Sequence, residues 1–308
     1  MAVTAALVKE LRELSGAGMV DCKNALTEAD GNIEKAIELL REKGMAAAVK
    51  KAGRIASEGL CQAYIDESGK TAVVVEVNSE TDFVAKNAEF RSFVDAVARQ
   101  AAASSSKDME GLYAEKYLED PSLTLREALN GKILTIGENL NARRFERFSG
   151  DGSTTFVSYI HAGGKVAVIL ELAGPAGEAL TEAGKNLAMQ IAAMNPLFVD
   201  RESVPEEFIQ KEREILTQAA LNENAQSDKP KPEKVVRENI VEGRLSKELK
   251  NFCLLEQEYV KDGAMTVAAY LKSVDGTAKA LRFARFETGE GLEKKGENFA
   301  EEVSKLTS

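Results

Sequence analysis

Residues able to carry bond chemistry are scarce in this chain. It has one histidine, His161, three cysteines and no tryptophan. A nucleophile activated by a base would have to be built on His161. That residue lies in Tyr159-Ile160-His161-Ala162-Gly163-Gly164-Lys165, between two strand-like runs, and its plain reading is a hairpin-turn residue. Gly163-Gly164-Lys165 lacks the GxxxxGK[ST] spacing of a phosphate loop, and a strand-like run follows where a helix is required. Gly289-Glu290-Gly291 carries no dinucleotide fingerprint. Cys22, Cys61 and Cys253 are far apart and show no metal-ligand spacing. Carboxylates abound, but no pair is isolated in an apolar setting as acid/base work requires. The reading is a protein that is not an enzyme, with no catalytic residue, no metal and no cofactor.

One short stretch asks for another kind of chemistry. Ala72-Val73-Val74-Val75-Glu76-Val77 reads as a buried strand, and Phe90, Phe93, Val94 and Val97 recur at helical spacing. Between them lies Asn78-Ser79-Glu80-Thr81-Asp82-Phe83-Val84-Ala85-Lys86-Asn87, a strand-to-helix junction with a Phe beside a carboxylate. Ser79 with Asp82 three residues on fits a capping box. That leaves Phe83 unexplained, because its helical neighbours Lys86 and Asn87 are polar. Phe83 is either a buried anchor seven residues before Phe90 or an exposed anchor for a partner.

The chain has 308 residues, 44% hydrophobic and 29% charged, enough for more than one domain and a sizeable core. Its net charge of −10 argues against direct binding of nucleic acid but not of protein. No apolar run reaches membrane-spanning length, and the N-terminus has no signal or transit pattern. With an odd, unpaired set of cysteines, these features lead to the expectation of a cytoplasmic protein.

The elements that must position the junction are an α+β set. Three short helices are expected over 2–45, with Thr4 as first cap, Leu7, Leu11 and Leu14 as one stripe, and a stop at Gly44. An internal repeat follows. Ile65, Lys70 and Val77 match Ile160, Lys165 and Leu172, each 95 residues on, so each copy reads as a β-hairpin followed by a helix. The second copy continues Ala173-Gly174-Pro175-Ala176, so the module does not need an Asp-Phe pair to fold. A helix is expected over 124–141, a strand over 143–148 and the second copy's helix over 177–194. Two amphipathic helices, 205–224 with Phe208, Ile215 and Leu216, and 233–251, flank Lys229-Pro230-Lys231-Pro232 as a protruding antiparallel hairpin. A helix over 265–274, a strand over 280–286 and a tail helix over 299–306 complete the chain.

Several of these segments together resemble the elongation factor Ts family. Glu76 to Lys86 is similar to the family's central motif. Leu11-Arg12-Glu13-Leu14-Ser15-Gly16-Ala17-Gly18-Met19-Val20-Asp21-Cys22-Lys23 is similar to its N-terminal motif, departing at Ser15, where Thr is commoner. The segments Tyr159–Lys165 and Arg282–Glu293 also look like family segments, in the expected order. The resemblance implies a nucleotide-exchange factor for the GTPase elongation factor Tu, in its GDP-bound and nucleotide-free forms. It also implies a division into a ubiquitin-associated-like bundle and linker (1–55), a first core subdomain (56–141), a second (142–200 with 246–287), a coiled-coil hairpin (201–245) and a C-terminal module (288–308). Thr81, Asp82, Phe83 and Val84 would then bind the GTPase and displace its magnesium. Arg12, Met19, Val20, His161, Ala162, Gly163 and Gly164 would add contacts, and the hairpin would be a candidate for homodimer contacts. The alternative kept open is a docking adaptor of a GTPase without exchange activity.

Overall fold

The computed structural model describes residues 3–294. Its first unit is helical. Helix α1 (Ala5–Ser15) starts at Thr4, whose Oγ1 accepts from the Leu7 amide at 3.2 Å, and ends at Gly16 with φ 67°. Helices α2 (Met19–Glu28) and α3 (Ile33–Lys51) close a small core of Val8, Leu11, Cys22, Ala25, Leu26, Ala36 and Leu40. The expected leucine stripe is corrected: Leu11 is fully buried, but Leu14 is 62% exposed and Val8 packs inward instead. The expected stop at Gly44 is also corrected, since α3 runs on to Lys51. Gly44 has a packing reason instead, because a Cβ there would sit 3.2 Å from the Asn130 carbonyl of a facing helix.

The chain then enters β1 (Glu58–Ile65) and β2 (Thr71–Ser79), a one-turn α4 (Asp82–Ala85), α5 (Ala88–Ala103), α6 (Met109–Ala114) and α7 (Leu125–Ile136). Gly137, with φ 86°, ends α7 before the expected residue 141. Strand β3 (Asn141–Ser149) joins β2, giving an antiparallel sheet of order β1-β2-β3. The second copy is built likewise. Strands β4 (Thr155–His161) and β5 (Val166–Ala173) precede α8 (Glu178–Met194). A helical excursion follows, made of α9 (Glu206–Ala225), α10 (Glu233–Val235), a π-helical turn (Val236–Val241) and α11 (Glu242–Phe252). Strands β6 (Glu258–Tyr259) and β7 (Asp262–Thr266), then α12 (Val267–Val274), lead back to β8 (Lys279–Glu287). The second sheet has the order β4-β5-β8.

The 95-residue offset holds down to the register. Ala63 faces Val74 in the first hairpin and Ser158 faces Ile169 in the second. Both central strands bulge at equivalent points, between Glu76 and Val77 and between Glu171 and Leu172. Side chains alternate faces along a strand, so each central strand serves two cores. Val73, Val75 and Val77 pack on Phe90, Phe93, Val94 and Val97 of α5. Ala72 and Val74 point the other way, against Ala167 and Ile169 of the second sheet. The result is four layers, helix, sheet, sheet and helix, with α8 covering Val168, Leu170 and Leu172. Small residues such as Cys61, Ala63, Ala72 and Ala167 form much of the layer between the sheets.

The excursion has its own seam of Leu216, Ala220, Val236, Val241 and Leu245, whereas Ile215, expected on that stripe, is 53% exposed. Met265, expected in a helix, lies in β7. The expected tail helix falls outside the described residues.

The second helix layer makes a checkable demand. A Cβ on Gly184 of α8 would lie 2.6 Å from Val157 Cγ2 and 2.7 Å from Leu172 Cδ1. Alanine gains roughly 1 kcal/mol in helix propensity, but overpacking costs about 1–3 kcal/mol. Gly184→Ala should therefore lower the thermal midpoint by a few degrees. A higher midpoint in a calorimetric scan would mean the layer has slack.

Candidate partner-binding site

The Asp-Phe junction is held by three separate devices. Its cap is Thr81 and not Ser79: Thr81 Oγ1 accepts from the Val84 amide at 3.4 Å, while the Ser79 hydroxyl donates to the Thr81 carbonyl at 3.0 Å. The capping-box reading of Ser79 and Asp82 is thereby replaced, because α4 starts at Asp82 and α5 has its own cap in Asn87. The second device is Glu138, just after α7. One of its carboxylate oxygens accepts from the Glu80 and Thr81 amides, both at 3.0 Å, and the other accepts from the Thr81 hydroxyl at 2.6 Å. Glu80 answers by accepting from the Asn139 amide at 2.6 Å and pairing with Arg54 at 3.3 Å. The third device is burial, since Val84 and Ala85 sit in the core that holds Phe90.

On this fixed backbone Phe83 points to solvent, 78% exposed. Lys86 Nζ lies 5.7 Å from its ring centroid and 2.6 Å from Asp82 Oδ2. The hydrogen bond from Lys86 holds the Asp82 carboxyl below the usual carboxylate range. Phe83 is thus no buried anchor. An exposed aromatic on a braced backbone, with a carboxylate beside it, has the form of an interface anchor.

A second turn is fastened to the first. His161 ends β4, exposed, with Nδ1 3.1 Å from the Tyr159 hydroxyl. Ala162, Gly163 and Gly164 follow with φ of 47°, 68° and 109°. Gly164 is required by close approach: a Cβ would lie 2.7 Å from Leu60 Cδ2, and the Cys61 amide donates to the Gly164 carbonyl at 2.7 Å. Arg91 of α5 links both turns, donating from Nε to the Ala85 carbonyl at 3.1 Å and from Nη2 to the Gly163 carbonyl at 2.8 Å. Lys165 and Glu58 add an ion pair between the two hairpins. Thr81 to Val84 and His161 to Gly164 therefore belong to one assembly.

The other expected contacts lie elsewhere. Arg12, Met19 and Val20 sit on the α1–α2 corner, over a different core. Met19 is 48% and Val20 71% exposed on this corner, whereas exposed Leu14 lines a cleft between α3 and α7.

The glycine at 289 also acquires a role. The Gly289 amide donates to the fully buried carboxylate of Glu76 at 2.8 Å, and a Cβ on Gly289 would lie 2.2 Å from the Ser57 carbonyl. The segment binds an anion, but one supplied by its own chain.

Sequence reasoning missed Arg91, Glu138 and the exposure of Leu14. Glu138 carried one signal, its place straight after the helix-ending Gly137. Arg91 carried none, being one of many charged residues on a helix face. Among the described residues no cluster of three or more His, Cys, Asp or Glu could hold a metal ion, and no helix is long and apolar enough to cross a membrane.

A family model described as elongation factor Ts matches residues 80–290, a span that takes in both turns, Arg91, Glu138 and Gly289. The chain is 51% identical to elongation factor Ts of Clostridium novyi (strain NT) over 308 residues, 98% of each chain. It is 52% identical to that of Clostridium kluyveri (strain NBRC 12016), again over 98% of each, and 49% identical to that of Clostridioides difficile (strain 630) over the same share. Similarity that runs the length of the molecule, and covers the residues that build and brace the two turns, shows that this chain belongs to the elongation factor Ts family.

Proposed function

We propose that this chain is a guanine nucleotide exchange factor for elongation factor Tu, working in the cytoplasm, and that it acts by stabilising the nucleotide-free GTPase. The observation that carries the reading is Phe83, largely exposed on a backbone braced by Glu138 and anchored by Val84. An exchange factor needs no bond chemistry. It must bind the empty GTPase better than the loaded one, and reciprocity then weakens nucleotide binding by the same factor. Each tenfold of weakening takes about 1.4 kcal/mol of differential contact. Burying a Phe ring contributes roughly 1.5–3 kcal/mol, so Phe83 can supply one or two decades. In this reading Phe83 wedges into the GTPase, Asp82 disturbs the groups around its magnesium, and Thr81 and Val84 hold both in place. The turn at His161 to Gly164 meets a second surface, and the helical unit with Arg12, Met19 and Val20, read as ubiquitin-associated-like, docks on the GTPase domain. The α9–α11 hairpin serves contacts between two copies of the chain.

Phe83→Ala should slow stimulated GDP release about tenfold to a hundredfold with little change in the melting temperature, because the ring lies outside every core. Asp82→Ala should also slow release without a large stability loss, since its partner Lys86 is an exposed surface pair. Stopped-flow release of labelled GDP, with a melting curve for each variant, tests both. Excision of the hairpin tip, 227–232, should change self-association on size exclusion and leave exchange by the monomer intact.

Titration calorimetry tests the coupling itself. Affinity for elongation factor Tu should be highest in nucleotide-free buffer and fall sharply in saturating GDP with magnesium. Equal affinities in the two buffers would mark a docking adaptor and overturn the exchange reading.

A further inference from the structure

We infer that Glu138 is a positioning residue for exchange: its carboxylate sets the Asp82-Phe83 turn in its working geometry before any partner arrives. The inference rests on the exchange-factor reading of that turn. Glu138 lies 57 residues from Thr81 in sequence, yet it takes the two amides that precede the turn and the hydroxyl that caps it. A turn amide without a partner must be satisfied by water or by another chain conformation. Here the Glu80 and Thr81 amides converge on one oxygen, which fixes the direction in which the chain leaves β2. The second oxygen accepts the Thr81 hydroxyl proton, and this orients that hydroxyl's lone pairs toward the Val84 amide. One carboxylate thus sets both the entry to α4 and its cap. Neighbouring bonds keep the carboxylate in place, since the Asn139 amide donates back to Glu80 and the Asn139 side chain donates to the Arg54 carbonyl at 2.8 Å.

The physical consequence is preorganisation. A Phe on a fixed backbone loses little freedom on insertion, whereas one on a fraying turn must be ordered by the partner's binding energy. Removing Glu138 should therefore lower exchange through Phe83 and Asp82, not through a contact of its own. The effect should vanish where those two side chains are already gone.

The test combines a double-mutant cycle with hydrogen exchange. Stimulated GDP release from elongation factor Tu is measured for the full chain, for Glu138→Ala and for Glu138→Gln. Each is made in the native background and in an Asp82→Ala/Phe83→Ala background, and amide exchange is followed over residues 78–86. We expect a tenfold or greater loss for Glu138→Ala in the native background and less than twofold in the other. Glu138→Gln, which keeps an acceptor for the two amides, should recover most of the rate. The Glu80, Thr81 and Val84 amides should lose protection in Glu138→Ala while those of β2 keep it. An equal loss in both backgrounds would show a merely structural role and overturn the inference. Full activity of Glu138→Ala would overturn it as well. A native chain that does not speed GDP release would sink the exchange reading and this inference together, an outcome distinct from the other two.

Discussion

A carboxylate with no exposed surface, Glu76, is the constraint on which the two halves depend. It lies on the face of β2 that meets the second sheet, where water cannot solvate it. Arg143 and Arg144 donate to it at 3.1 and 2.6 Å, Asn78 at 2.9 Å and the Gly289 amide at 2.8 Å. Removing a partner from such a buried charge typically costs about 3–5 kcal/mol. The four donors come from β2 itself, from β3 and from the turn after β8, so satisfying one charge locks the first sheet to the end of the second.

The second half repeats the device at the matching bulge. Glu171 accepts from Arg282 at 2.5 Å and from the Thr154 hydroxyl at 2.7 Å. Each arginine also reaches across the interface. The Arg144 guanidinium lies 4.2 Å from the Phe286 ring centroid, and that of Arg282 lies 4.3 Å from the Phe148 ring centroid. The halves thus exchange equivalent contacts, and the small residues between the sheets let them come close. That close approach lays the tip of the second hairpin against Leu60 and brings it within reach of Arg91. The two turns become one surface because of packing that neither turn makes alone.

What was legible in the sequence follows from the range of the forces involved. The repeat could be read because strand alternation and hairpin register are local, and the 95-residue offset carried them intact. Both the α+β class and the separateness of the Asp-Phe junction came from comparing the two copies. The exposure of Phe83 is expected from its polar helical neighbours Lys86 and Asn87, although its spacing to Phe90 also allows burial, because one ring's burial depends on what folds over it. Leu14 shows the same limit, since helical spacing alone gave it to the core. The cap went to Thr81 instead of Ser79 because Ser79 still belongs to β2. Gly44 read as a helix end because its true reason, the facing Asn130 carbonyl, is 86 residues away. Glu138 and Arg91 act on Thr81 and Gly163 across 57 and 72 residues through long-range hydrogen bonds, which leave no periodic trace.

The order of strands has a consequence for how the chain is made. The first sheet is closed by β3, which follows its hairpin within the same half. The second sheet needs β8, delayed by the whole α9–α11 excursion and α12. On a ribosome, the first half can close while β5 still has an open edge and Glu76 still lacks Gly289. The excursion lengthens the loop that must be shut to complete the second sheet, and non-local closure of that kind is slow. Synthesis therefore delivers the N-terminal half first, and the turn after β8, which emerges only after the excursion, is the latch that fastens the two halves.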